Sequence, residues 1–199
     1  MGRPKHVSDE EILDAARACF RELGPSVSTT VIAGRLEISQ AALFKRFGTK
    51  EELMVAALGP PPVPPWLSLL NQGPDGRPIK VQLREIGRVL NQFFEQYMPN
   101  FAVLRACGDP SVMMERHYDV APPLLGHRAM TDWFRRAGRR GLVRGRRAKA
   151  LAMMFLAAFQ GRSMIQHLTN GALPLQDADA YINDVVDLLC DGILPEADA

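Results

Sequence analysis

Two capping boxes, Ser8-Asp9-Glu10-Glu11 and Thr49-Lys50-Glu51-Glu52, frame the start of this sequence and constrain its fold more than any other feature. In each, a Ser or Thr hydroxyl takes the amide three residues on, and the Glu there returns a bond to the capping residue's amide, so each fixes a helix start. Between them Ile12, Ala15, Ala16, Cys19, Phe20 and Leu23 recur at helical spacing. Gly24-Pro25 ends that run, since glycine takes positive φ and proline cannot extend the ladder. A second helix runs from about Ser28 to Leu36 with Ile32, Ala33 and Leu36 inward, and Ile38-Ser39 turns into a third over Gln40–Phe47. A fourth follows through about Leu58. Helix, short helix, tight turn and short helix is the helix-turn-helix arrangement.

The third helix has two unlike faces. Leu43 and Phe47, four apart, point inward, which leaves Gln40, Ala41, an exposed Phe44 and Lys45 outward. An amide, small residues and a cation suit a DNA major groove, where a glutamine can read adenine. A solvated face on a short core helix has the same composition, and the neighbouring helices favour DNA. Net charge is only +2, and residues 1–58 hold eight Lys+Arg against eight Asp+Glu, so position rather than total carries the argument. Arg3 and Lys5 lie on a Pro-interrupted arm of the kind that enters a minor groove. The candidate DNA-binding set is Arg3, Lys5, Ser28, Thr29, Ser39, Gln40, Ala41, Phe44, Lys45 and Lys50.

Ile12-Leu13-Asp14-Ala15-Ala16 with Phe20 and Gly24, then Ile32-Ala33, Ile38-Ser39, Leu43-Phe44-Lys45-Arg46-Phe47 and Lys50-Glu51-Glu52-Leu53, resemble the N-terminal domain of the TetR family of bacterial repressors. The resemblance covers roughly residues 8–58. It implies a homodimer on double-stranded operator DNA, with an effector cavity and the dimer contact in the C-terminal part. Two residues depart from the family pattern. Glu37 stands at the turn position usually held by Gly, which calls for a strained φ or a different turn shape, and Phe44 stands where Tyr is usual and cannot donate a phenolic hydrogen bond to phosphate.

Five prolines within residues 59–65 break the composition, so the expected organisation is a DNA-binding domain over 1–58, a Pro/Gly-rich linker over 59–78 and a ligand-binding and dimerisation domain over 79–199. Helical spacing returns over 79–97, in short helices near 101–107 and 112–118, and over 124–140, 149–167 and 177–191. No alternating strand pattern occurs, and the fold class is all-α. Met and aromatic residues concentrate at Phe93, Tyr97, Phe101, Met113, Tyr118, Met154, Phe155 and Phe159. With Arg105, His117 and Gln160 as polar members, they are the candidate wall of a cavity for a small apolar effector, although an ordinary core contains the same residues. Tyr181, Ile182, Val185, Val186 and Leu189 on the last helix are the expected dimer contact, beside a 149–167 helix that is apolar nearly all round.

Other classes find little support. The four histidines lack ligand spacing, and no phosphate loop or nucleophile elbow occurs, so neither an enzyme nor a cofactor is expected. The longest apolar run, 150–159, is too short for a bilayer, and no apolar leader opens the chain, which points to a cytoplasmic protein. Cys19, Cys107 and Cys190 read as reduced core thiols. The dense basic run from Arg135 to Lys149 reads as a solvated face or as a surface for an acidic partner. The alternative function is a DNA-bound interaction protein whose solid C-terminal domain meets a protein partner.

Overall fold

The computed structural model describes residues 7–106, 115–143 and 147–191, and among these every regular element is helical. In order they are α1 (Asp9–Leu23), α2 (Thr29–Arg35), α3 (Gln40–Phe47), α4 (Lys50–Leu58), α5 (Trp66–Gln72), α6 (Ile79–Arg105), α7 (Pro122–Arg139), α8 (Ala148–Leu168) and α9 (Ala178–Asp191). The chain divides into two compact units, Met1–Pro61 with Pro99–Ala121, and Pro62–Met98 with Pro122–Ala199. No helix among the described residues is long and apolar enough to cross a membrane.

The first unit is built on α1 to α4. Both capping boxes form: Ser8 and Thr49 each accept the N3 amide, while the Glu11 and Glu52 carboxylates take the capping residues' amides at 2.7 Å. Ile12, Ala16, Cys19 and Phe20 from α1 meet Ile32, Leu43, Leu53 and Leu58 in one buried cluster. Arg17 reaches across to donate its Nε–H to the Ala57 carbonyl at 2.9 Å, satisfying an end group of α4. Leu104 and Tyr118 complete the same core, and the Tyr118 hydroxyl donates to the Pro60 carbonyl at 2.6 Å. Residues beyond Pro99 therefore contribute to this unit.

The second unit surrounds an aromatic chain. Trp133, Phe134, Phe155 and Phe159 are fully buried, with Phe134, Phe155, Phe159 and Tyr181 in successive edge-to-face contact. Edge-to-face rings gain from their quadrupoles beyond the area they bury. Within the stretch expected as a linker over 59–78, α5 forms because Trp66 and Leu70 have a core to enter. Gly126 admits that indole, since a Cβ there would stand 2.6 Å from the Trp66 ring. Helix α6 also runs on through Pro99, where the sequence spacing suggested a break. Buried Met98 and Leu104 on either side hold it despite the missing amide.

Helix α9 docks through Ile182 and Val186, both buried, and through charge. Lys80, Arg84 and Arg88 recur at four-residue intervals on α6. They meet Asp191 and Asp187 (Lys80, 2.7 and 3.1 Å), Asp187 again (Arg84, 2.9 Å) and Asp179 (Arg88, 2.8 Å). Half-exposed pairs of this kind contribute little singly. The Lys80 hydrogen bond nevertheless holds the Asp187 carboxyl below its ordinary range. A depressed folded-state value stabilises above the unfolded value of about 3.9, and that contribution is lost as pH falls through the folded value. Urea midpoints measured from about pH 5 down to about pH 2 should fall more steeply in the wild type than in Asp187→Asn.

Candidate nucleic-acid interface

Helix α3 is placed by what surrounds it. Eight residues cannot sustain a helix alone, and Leu43, fully buried, is the one α3 side chain wholly inside the core. Ser39 caps its start by accepting the Ala42 amide at 3.1 Å. Arg46 binds it to the beginning of α1 by donating to the Val7 carbonyl and, at 3.3 Å, to Asp9. At the far end Gly48 takes φ of 71°, and a Cβ there would fall 2.1 Å from the Glu52 carboxylate that closes the next capping box. The turn from α2 is a Schellman motif, with Glu37 donating to the Gly34 carbonyl and Ile38 to that of Ala33. Its left-handed position, φ 57°, is held by Glu37, as the missing glycine implied.

The outward face carries Gln40, Ala41 and Lys45, all exposed. Gln40 donates one amide N–H to the Thr29 hydroxyl at 2.6 Å. That leaves its carbonyl and a second N–H to pair elsewhere. Thr29 itself is only 4% exposed, which corrects its place among outward-facing residues: it braces the glutamine from below. Phe44 is corrected likewise, being half-buried and packed against the core rather than standing open. Lys45 and Lys50 make no ion pair among the described residues, whereas Arg46 is engaged internally. Ser28 and Ser39 are exposed and use their oxygens as cap acceptors, so each hydroxyl hydrogen stays free to donate. Arg3 and Lys5 lie outside the described residues.

The residues of the expected effector wall are divided between the two units. Phe101, Arg105, His117 and Tyr118 fall in the first unit, and Phe93, Tyr97, Phe155 and Phe159 in the second. Tyr118 belongs to the first unit's core, and His117 and Arg105 are exposed. Met154 and Gln160 lie on the outer face of α8, and Met113 is outside the described residues. What the second unit does hold is a cleft of about 670 Å³ near the start of α8, lined by residues from α6, α7, α8 and α9. Sequence spacing alone could not show it, because four helix ends converge there.

The dimer set also needs correction. Ile182 and Val186 are 2% and 0% exposed and close their own unit's core. Tyr181, Val185 and Leu189 are half-buried against it. The exposed apolar residues of these two helices are Met153, Met154, Ile165 and Leu168 on α8 and Leu188 on α9. Cys19 is buried as expected, Cys190 is exposed, and Cys107 is outside the described residues.

An exposed short helix, capped behind a tight turn and carrying the unpaired Lys45, with Lys50 just beyond it, is the helix-turn-helix arrangement of DNA-binding domains. Residues 12–57 match the family of bacterial regulatory proteins, tetR family. The match covers most of α1 to α4, so the similarity to the TetR family is that of this helix-turn-helix domain. Solved structures share the whole fold. A protein of Mesorhizobium loti assigned to the TetR family aligns with TM-score 0.70 at 17% identity, over 91% of this chain and 94% of that one. The TetR-family transcriptional regulator PfmR of Thermus thermophilus gives 0.60 at 21%, over 92% and 99%. A TetR variant of Acinetobacter baumannii, solved in complex with minocycline, gives 0.54 at 18%, over 94% and 96%. No curated protein is matched by sequence.

Two substitutions around α3 should act in opposite directions. Gly48→Ala should cost about 1–3 kcal/mol, since the backbone there suits only glycine and the Glu52 carboxylate must move. Glu37→Gly should gain up to about 1 kcal/mol by relieving the left-handed position. Urea denaturation of each variant checks both signs.

Proposed function

We propose that the chain is a homodimeric repressor that reads palindromic operator DNA through α3 and leaves it when a small apolar effector occupies the second unit. The observation that carries this reading is the Gln40–Thr29 bond. It fixes a side chain of an exposed helix face in one orientation and leaves it the acceptor and donor that match adenine N6 and N7. Lys45, Lys50 and the Ser39 hydroxyl stand around it as phosphate ligands, which position without reading sequence. Arg3 and Lys5 precede Val7, where Arg46 anchors the chain, and serve as a minor-groove arm. The second unit's cleft has the size of a small-molecule site, and a neighbour of the same fold was solved with minocycline.

One short helix reads too few base pairs for a useful specificity ratio. The dimer supplies two, about 34–36 Å apart, on half-sites one turn apart. Its contact is the stripe Met154, Ala157, Gly161, Ile165 and Leu168, which recurs at helical spacing along α8 and leaves apolar surface facing water. Leu188 on α9 extends it.

In a binding-site selection, Gln40→Ala should lose about 1–3 kcal/mol on the preferred site and relax one base pair per half-site, while Lys50→Ala weakens all sequences alike. Thr29→Val should share part of the Gln40→Ala loss. Unchanged sequence preference in Gln40→Ala would refute the assignment.

Ile165→Glu and Leu168→Glu should give folded monomers by light scattering, with operator specificity lost and weak, salt-sensitive DNA affinity kept. Ile182→Asp should instead unfold the second unit, because it puts a charge into the core.

A further inference from the structure

We infer that the cleft at the start of α8 is a binding site for a small amphipathic anion, whose charged group lies on Arg147 and whose apolar body lies among Leu83, Phe134, Leu142, Leu151 and Leu189. This rests on the reading of the second unit as the ligand-responsive part, and it names the chemistry of the ligand. The cleft is about 670 Å³, within the range of small-molecule sites, and aliphatic and aromatic side chains share its walls with polar groups. Three polar residues line it: Arg147, Cys190 and Asp191.

Their states differ in a way that selects charge. The Asp191 carboxylate is paired with Lys80 at 2.7 Å, which offsets part of its repulsion toward an anion. Partial burial pushes the Cys190 thiol up, so it stays neutral. Arg147 makes no ion pair and no hydrogen bond among the described residues, although other arginines nearby are engaged. It is also the residue that precedes α8, and its side chain does not cap that helix. The first turn of a 21-residue helix therefore begins directly after this guanidinium, with no cap from the Arg147 side chain. A helix start favours negative charge, and a guanidinium pairs with carboxylate through two parallel bonds. A cation would meet two positive charges there, and a plain hydrocarbon would leave both unused.

The basic run gains a different meaning from this placement. Arg136 donates to the carbonyls of Asn71 and Leu70, and Arg140 to that of Pro74, while Arg135 pairs with Asp132 at 2.7 Å. Arg136 and Arg140 hold α5 and the turn after it to α7. Arg147 is left for a ligand.

The test uses the full chain and three probes with one apolar body: 2-naphthoate, 2-naphthol and 2-naphthylmethylamine. Melting temperature is followed over a concentration series, with alkylation of Cys190 read by peptide mass spectrometry as a local reporter. The expected result is a saturable rise in melting temperature with naphthoate, a weaker rise with naphthol and none with the amine, with naphthoate slowing Cys190 alkylation. Arg147→Gln, at an exposed and unpaired position, should leave the unliganded melt unchanged and weaken naphthoate at least tenfold, and Arg147→Lys should restore part of the loss. Equal response to all three probes, or an unchanged naphthoate affinity in Arg147→Gln, overturns the proposal. So does a response that appears only after residues 192–199 are removed, which would assign the cleft to the chain's own last residues. Operator binding is measured on the same samples: wild-type DNA binding without any naphthoate response refutes this site alone, whereas absent DNA binding refutes the reading beneath it.

Discussion

The burial of Leu43 is the contact on which the proposed DNA-facing surface depends. A helix of eight residues has no stability of its own, and α3 sends one side chain fully into the core. Everything else about the helix is arranged so that this one anchor fixes a single pose. Ser39 and Gly48 set where it starts and stops, Arg46 ties its last turn to the beginning of α1, and half-buried Phe44 and Phe47 limit its rotation about Leu43. Rotation matters because a groove-reading side chain must arrive in register. Gln40 sits at the first position of the helix, where fraying is greatest, and the Thr29 hydroxyl beneath it stiffens that end.

Glu37 shows the cost of so tight a turn. The Schellman bonds from Glu37 and Ile38 require one residue in the left-handed region. A side chain there carries a penalty that glycine avoids. The turns after α7 and α8 solve the same problem differently, with Gly141 at φ 73° and Asn170 at φ 49°. The three turns thus span the residue types tolerated at this position, and the one next to the recognition helix carries the least suited of them.

The sequence was most legible where the determinants are local. Capping boxes, the Gly-Pro stop and the spacing of Ile12, Phe20, Ile32 and Leu43 act within a few residues, and the first four helices follow them closely. Phe44 and Thr29 depart from expectation because helical periodicity gives a face to within about one residue, and each lies at the edge of its face. In the second half, pattern gave the helices but not their company. Tyr118 has the character of a ligand-facing aromatic and instead closes the first unit's core on the Pro60 carbonyl. Ile182 and Val186 have the character of interface and are core, because α9 turns its more apolar side toward Phe159 and Gly87. An apolar residue on an amphipathic helix carries no mark that tells a neighbour in the same chain from one in another.

Helix α8 takes this furthest. Its residues are apolar on nearly all sides, so composition demands two burials without saying which side faces which. The buried set, Ala148, Ala152, Phe155, Phe159 and Ser163, defines the inner side. Arg162 joins it as a 9%-exposed cation, paired with Glu95 at 3.0 Å, bonded to the Gln176 carbonyl at 2.8 Å and set over the Tyr181 ring. A buried arginine is costly unless its partners are fixed, and these three come from α6, the segment before α9, and α9 itself. The arginine therefore sets the pose of α9 against α8. The same helix begins next to Arg147, so the cleft at one end and the apolar stripe along its length are borne by one rigid element. A ligand bound as proposed in that cleft would act on the proposed dimer stripe through this one helix, without any further relay.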